Sequence, residues 1–187
     1  MVFISILLAL ITGSIVWKLL IENYTESDIV IPISSNIDYS NQFPSLKNIE
    51  NIVKKFEAND NKPILLYLFT TWCKVCNNNF NNINELAREF QNTDLVFISL
   101  AIDRDLDIEN FNTYIKNLAP VYFEPLYLGN RNGFLEFLKQ KKVTYKNRIP
   151  YTILFARDGS ISADFSGVKS PKYLRSKIIK ELYNSSK

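Results

Sequence analysis

Six consecutive apolar residues, Ile64-Leu65-Leu66-Tyr67-Leu68-Phe69, constrain this chain more than any other feature. Side chains alternate across a strand, so a run that is apolar at every position has no face to offer to water. Pro63 introduces the run, whose length is that of a strand rather than a helix. Such a strand must be covered on both sides, which implies a central sheet between layers of helix.

The neighbouring segments supply those layers. Leu46, Ile49, Ile52, Val53 and Phe56 recur at helical spacing behind Ser45 as N-cap. Residues 73–90 read as a helix with Val75, Phe80, Ile83, Leu86, Ala87 and Phe90 on its apolar side. Leu95 to Ile102 reads as a second buried strand. Residues 107–118 form a helix with the stripe Ile108, Phe111, Ile115 and Leu118, Val121 to Leu128 is extended, and Phe134 to Lys141 is a short helix. Tyr151–Ala156 and Ser160–Phe165 flank the turn Arg157-Asp158-Gly159 and read as a hairpin. Tyr173 to Tyr183 closes the chain as a helix, with Pro171 near its start, where proline is tolerated. The order predicts an α/β fold, and the terminal hairpin makes its sheet mixed.

Val2 to Ile21 is almost entirely apolar, long enough to span a bilayer as a helix, and apolar on all sides rather than along one stripe. Residues 1–21 are therefore expected to be a membrane anchor, with a cleaved signal peptide as the alternative. Residues 22–44, with Pro32 and Pro44 among Ser, Asn and Asp, read as a linker. Either reading of the N-terminus places the rest of the chain outside the cytosol, where disulfides persist.

Composition excludes several kinds of chemistry. The net charge of +3 and the scattered lysines do not make a nucleic-acid surface. There are no histidines, which removes Cys-His and Ser-His nucleophile pairs and any imidazole-based metal site. No metal and no cofactor are expected. The chain has 2 cysteines, too few for a disulfide framework, and both lie in Trp72-Cys73-Lys74-Val75-Cys76.

That pair follows the buried strand and opens a helix. On a helix the spacing puts the two sulfurs one turn apart on the same face, where they can close a disulfide with little backbone motion. Cys73 stands at the helix N-terminus, where unpaired N–H groups and the helix dipole favour a thiolate. Lys74 adds a positive charge beside it. Cys76, one turn deeper, becomes the resolving thiol. A zinc half-site and an inert structural disulfide are the competing readings of the same spacing.

The arrangement of strand, Trp-Cys-x-x-Cys and helix resembles the thioredoxin superfamily, over about residues 45–187. The resemblance implies a thioredoxin-like three-layer fold with a central mixed sheet, preceded by the N-terminal transmembrane helix. It also implies a cis-proline facing the cysteines, and Arg148-Ile149-Pro150-Tyr151-Thr152 matches that element, with Pro150 in the proline position. By the same resemblance Ile149 offers backbone hydrogen bonds to a bound substrate chain. Trp72, beside the pair in sequence, is read as flanking the site and shaping the docking surface, with a pure packing role as the alternative.

The branch this chain most resembles is that of TlpA, ResA and CcmG, exported and tethered thioredoxin-like proteins. The resemblance rests on the N-terminal anchor, on Phe97-Ile98-Ser99-Leu100-Ala101-Ile102-Asp103 followed by an added strand and helix, and on Pro150 to Phe155 leading to Asp158-Gly159-Ser160-Ile161. It implies a single-pass protein of the cytoplasmic (inner) membrane with its catalytic domain in the periplasm or extracytoplasmic space. Such a protein reduces disulfides of exported proteins, as in cytochrome c maturation, and is itself re-reduced by a membrane thiol-electron donor. Departures from the pattern bear on redox tuning. Lys74-Val75 replaces the usual Gly-Pro or Glu-Pro, Tyr67 occupies the position of the thioredoxin buried acid, and Asn79 stands where some members of the branch have Glu. The direction of electron flow is thus open. A disulfide-forming oxidase and a redox-inert binding module are the alternatives; a copper metallochaperone is disfavoured by the cysteine spacing and the missing histidine. Asn77 to Asn82 is read as solvated surface.

Overall fold

The structure is a computed structural model that describes residues 61–104, 108–118, 120–128 and 131–184. The expected anchor, the linker and the helix over Leu46–Phe56 lie outside the described residues. In chain order the elements are β1 (Ile64–Phe69), α1 (Lys74–Glu89), β2 (Val96–Ala101), α2 (Ile108–Leu118), β3 (Glu124–Tyr127), α3 (Asn132–Gln140), β4 (Tyr151–Phe155), β5 (Ile161–Ser166) and α4 (Pro171–Asn184).

The strands form one mixed sheet in the order β3-β2-β1-β4-β5. β1, β2 and β3 are parallel, while β4 runs antiparallel to β1 and to β5. β1 is the central strand, and all six of its residues are buried, as its apolar run demands. Alternation sends Leu65, Tyr67 and Phe69 into one apolar cluster and Ile64, Leu66 and Leu68 into the other. The first cluster also takes Phe80, Ile83 and Leu86 of α1, Phe111 and Ile115 of α2, and Leu174 and Ile178 of α4. The second takes Phe134, Phe137 and Leu138 of α3. These are the two helical layers required by a strand with no polar face. Arg175 of α4 makes a two-pronged ion pair with Glu89 of α1, with both contacts at 2.6 Å, so those helices are joined by charge as well as by packing.

β3 has only four residues and, among the described strands, forms one border of the sheet, the setting in which Pro125 is tolerated. Among the described residues no helix is long and apolar enough to cross a membrane.

Two sequence expectations are corrected by packing. Val75 is not on the apolar side of α1; it is 56% exposed, because the inward positions of the first turn are taken by the cysteines. Asn79 is not solvated surface but buried, on the same inward side as Cys76 and Phe80.

Candidate redox site

The parallel pairing of β1 with β2 ends at Phe69 opposite Ala101. Both chains then leave the sheet at the same end, the carboxyl end of parallel strands, where α/β folds place their sites. The antiparallel pairing brings the start of β4 to the same place, with Tyr151 opposite Leu68. The Thr71–Cys76 segment and the Ile149–Pro150 peptide therefore share one corner of the molecule. Pro150 is buried and its peptide bond to Ile149 is cis, as the resemblance implied.

Cys73 and Cys76 are joined as a disulfide with Cα atoms 5.2 Å apart. Cys73 is the N-cap of α1, and its sulfur accepts the Cys76 N–H at 3.1 Å. The sulfur thus occupies the place of a capping oxygen and faces the positive end of the helix dipole. The first turn of α1 carries no acid, so nothing in it opposes a negative charge there. Cys73 retains 7% exposure and Cys76 none, the asymmetry expected of an attacking and a resolving thiol.

Trp72 is 74% exposed and, with Val75, forms an apolar rim beside the disulfide. On the other side, the Gly167 N–H donates to the Pro150 carbonyl at 2.8 Å, and exposed Val168 follows. Gly167 has φ +76°, a left-handed conformation that a residue with a side chain rarely adopts. Ile149 is half-buried and packs against both apolar clusters. The Tyr151 hydroxyl donates to Asp164 of β5, with the Thr144 carbonyl 3.3 Å away as the more distant acceptor, tying the strand that follows Pro150 to its surroundings.

Tyr67 lies beneath α1 with its hydroxyl buried and without a hydrogen-bonding partner among the described residues. Burial pushes its pKa up to about 12, and the nearby Asn79 amide offsets this only partly, without making a hydrogen bond of normal geometry. The phenol is therefore neutral at physiological pH and is not a stand-in for a carboxylate. Tyr67→Phe is expected to raise stability by about 1 kcal/mol, because it removes an unsatisfied buried group and keeps the ring. Thermal unfolding checks this, and a loss of stability would mean that the hydroxyl is bonded.

The sequence reading passed over one polar cluster. Thr71, two residues before Cys73, donates its N–H to both oxygens of Asp103 at 3.1 Å and its hydroxyl to one of them at 2.8 Å. The Thr71 carbonyl accepts the side-chain N–H of Asn77 at 3.1 Å, and the Asn77 oxygen accepts the Tyr114 hydroxyl at 2.5 Å. Burial first, then Tyr67 and Asp103, raise the Tyr114 pKa, so it remains a donor. An acid just past the end of a strand parallel to β1 was the available signal.

Fold, motif and disulfide together define a thioredoxin-like protein bearing a Cys-x-x-Cys pair. The thioredoxin-like family model matches residues 60–161, more than half of the chain, and the chain belongs to that family. Solved structures agree on the fold. A DsbF homologue from Corynebacterium diphtheriae aligns with TM-score 0.57 at 14% identity, covering 67% of this chain and 75% of that one. A thioredoxin-family thiol:disulfide interchange protein from Chlorobium tepidum aligns with TM-score 0.55 at 16% identity, covering 67% and 83%. The exposed lipoprotein thioredoxin of Streptococcus pneumoniae aligns with TM-score 0.54 at 16% identity, covering 66% and 89%. No curated protein matches the chain.

Proposed function

We propose that this protein is a thiol-disulfide oxidoreductase that reduces disulfides of exported proteins through Cys73 and Cys76. The observation that carries the reading is the disulfide at the N-terminus of α1, with the Cys76 N–H on the Cys73 sulfur. In the reduced form that N–H and the helix terminus favour the Cys73 thiolate. The thiolate attacks one sulfur of a partner disulfide, forming a Cys73–partner bond and releasing the partner's other sulfur as thiolate. Cys76, having given up its proton to solvent, attacks the Cys73 sulfur and expels the second partner thiolate. Two electrons pass to the partner, whose thiolates take up two protons, and the Cys73–Cys76 disulfide is left.

Trp72, Val75 and Val168 supply an apolar rim for the partner chain, and the backbone of Ile149, before Pro150, supplies its hydrogen bonds. Lys74 and Val75, lying between the cysteines, set the potential together with the neutral Tyr67 beneath them. Residues 1–21 hold the protein in the cytoplasmic membrane, residues 22–44 are the tether, and the domain from 45 works on the outer side, where a membrane thiol-electron donor returns it to the dithiol. The names of two similar proteins, a thiol:disulfide interchange protein and an exposed lipoprotein thioredoxin, support this setting.

The deciding measurement is the reduction potential of the full-length chain against glutathione and dithiothreitol buffers. A reductant is expected at about −270 mV or below. A value near about −120 mV would replace this reading with a disulfide-forming oxidase.

A further inference from the structure

We propose that Asp103 is a positioning residue of the redox site, acting through Thr71 on the peptide that presents Cys73. The inference rests on the proposed exchange activity and adds a residue to it. Asp103 is buried, 6% exposed, and no cation pairs with it among the described residues. A buried, unpaired carboxylate is costly unless its hydrogen bonds are strong. Among the described residues, the three hydrogen bonds it accepts come from Thr71, 32 positions away in sequence. Extending the register beyond Phe69 and Ala101 by two residues on each chain sets Thr71 beside Asp103, so the parallel pairing itself aims the acid at the loop.

Thr71 is then gripped at every polar group it has. Asp103 holds its N–H and hydroxyl, and Asn77 of α1 holds its carbonyl. Asn77 is in turn fixed by Tyr114 of α2. The next links are also bonded: the Cys73 N–H donates to the Thr70 carbonyl at 3.1 Å, and the Cys73 carbonyl accepts the Asn77 N–H at 3.0 Å. The peptide from Thr70 to Cys73 is thereby anchored to β2, α1 and α2 together. Disulfide exchange requires the attacking sulfur to line up with the bond it breaks, and small displacements of a reacting group are costly in rate.

The test measures the second-order rate of reaction between the reduced full-length chain and oxidised glutathione. Asp103→Ala is expected to slow the reaction about tenfold and Thr71→Val about threefold, while Thr71→Ser, which keeps the hydroxyl, stays near wild type. The sign is diagnostic: removing a negative charge near a thiol would by itself favour the thiolate and speed attack. The two losses are also expected to be less than additive in the double variant, because both break one contact. Thr71→Val and Thr71→Ser decide the question if Asp103→Ala does not fold. Wild-type rates in Asp103→Ala and Thr71→Val, alongside an inert Cys73→Ser, would overturn this proposal and leave the exchange activity standing. An unreactive wild-type chain would overturn both.

Discussion

Cys73→Ser is expected to abolish exchange with protein disulfides, and Cys76→Ser to arrest the chain as a stable mixed disulfide with its partner. The difference follows from the geometry. Cys73 caps α1 and retains some exposure, so it meets the partner sulfur first; Cys76 is sealed beneath it. Without Cys73 the remaining thiol cannot be reached, and the loss should be total within detection. Without Cys76 the first step proceeds, but the intermediate has no internal thiolate to resolve it. Non-reducing electrophoresis of the full-length variants with insulin as the disulfide substrate reads both results. A covalent adduct with Cys73→Ser rather than Cys76→Ser would reverse the assignment of the two thiols.

Phe80→Ala is expected to cost about 3–5 kcal/mol. The ring is buried and meets four others: Tyr67 edge-on at 5.9 Å, Phe69 at 4.9 Å, Tyr114 at 6.0 Å and Phe123 at 5.4 Å. It joins α1 to β1, to α2 and to the segment leading into β3. Truncation leaves a cavity and also forfeits edge-to-face contacts worth about 0.5–1.5 kcal/mol each. Domains of this size hold roughly 5–15 kcal/mol in all, so the variant should unfold at a much lower urea midpoint with an unchanged slope. A loss below about 1 kcal/mol would mean that the ring cluster repacks around the gap.

Much of this architecture was legible because its signals are local. The unbroken apolar run of β1 required cover on both faces, and the cysteine pair and Pro150 announced the site. Val75 was misplaced because periodicity assumes a core under every turn, and here the disulfide fills the inward positions of the first. Asn79 was misplaced for the converse reason. Its neighbours in sequence are mostly polar, but its place on the helix is set by Cys76 and Phe80 on either side. Asp103 was visible as a residue and invisible as a contact. Its meaning depends on strand register and on a backbone N–H, which no side-chain pattern records. Val168 became part of the site only through the Gly167–Pro150 hydrogen bond, which joins segments far apart in the chain.

Pro125, paired with Ser99 on the outermost of the described parallel strands, has a consequence for behaviour at high concentration. A second copy adding itself to that flank would need a regular row of N–H donors, and the proline nitrogen has none to give. With only four residues from Glu124 to Tyr127, the flank is also too short to compensate for the gap. Among the described residues the sheet is thus guarded on this side against growing from molecule to molecule.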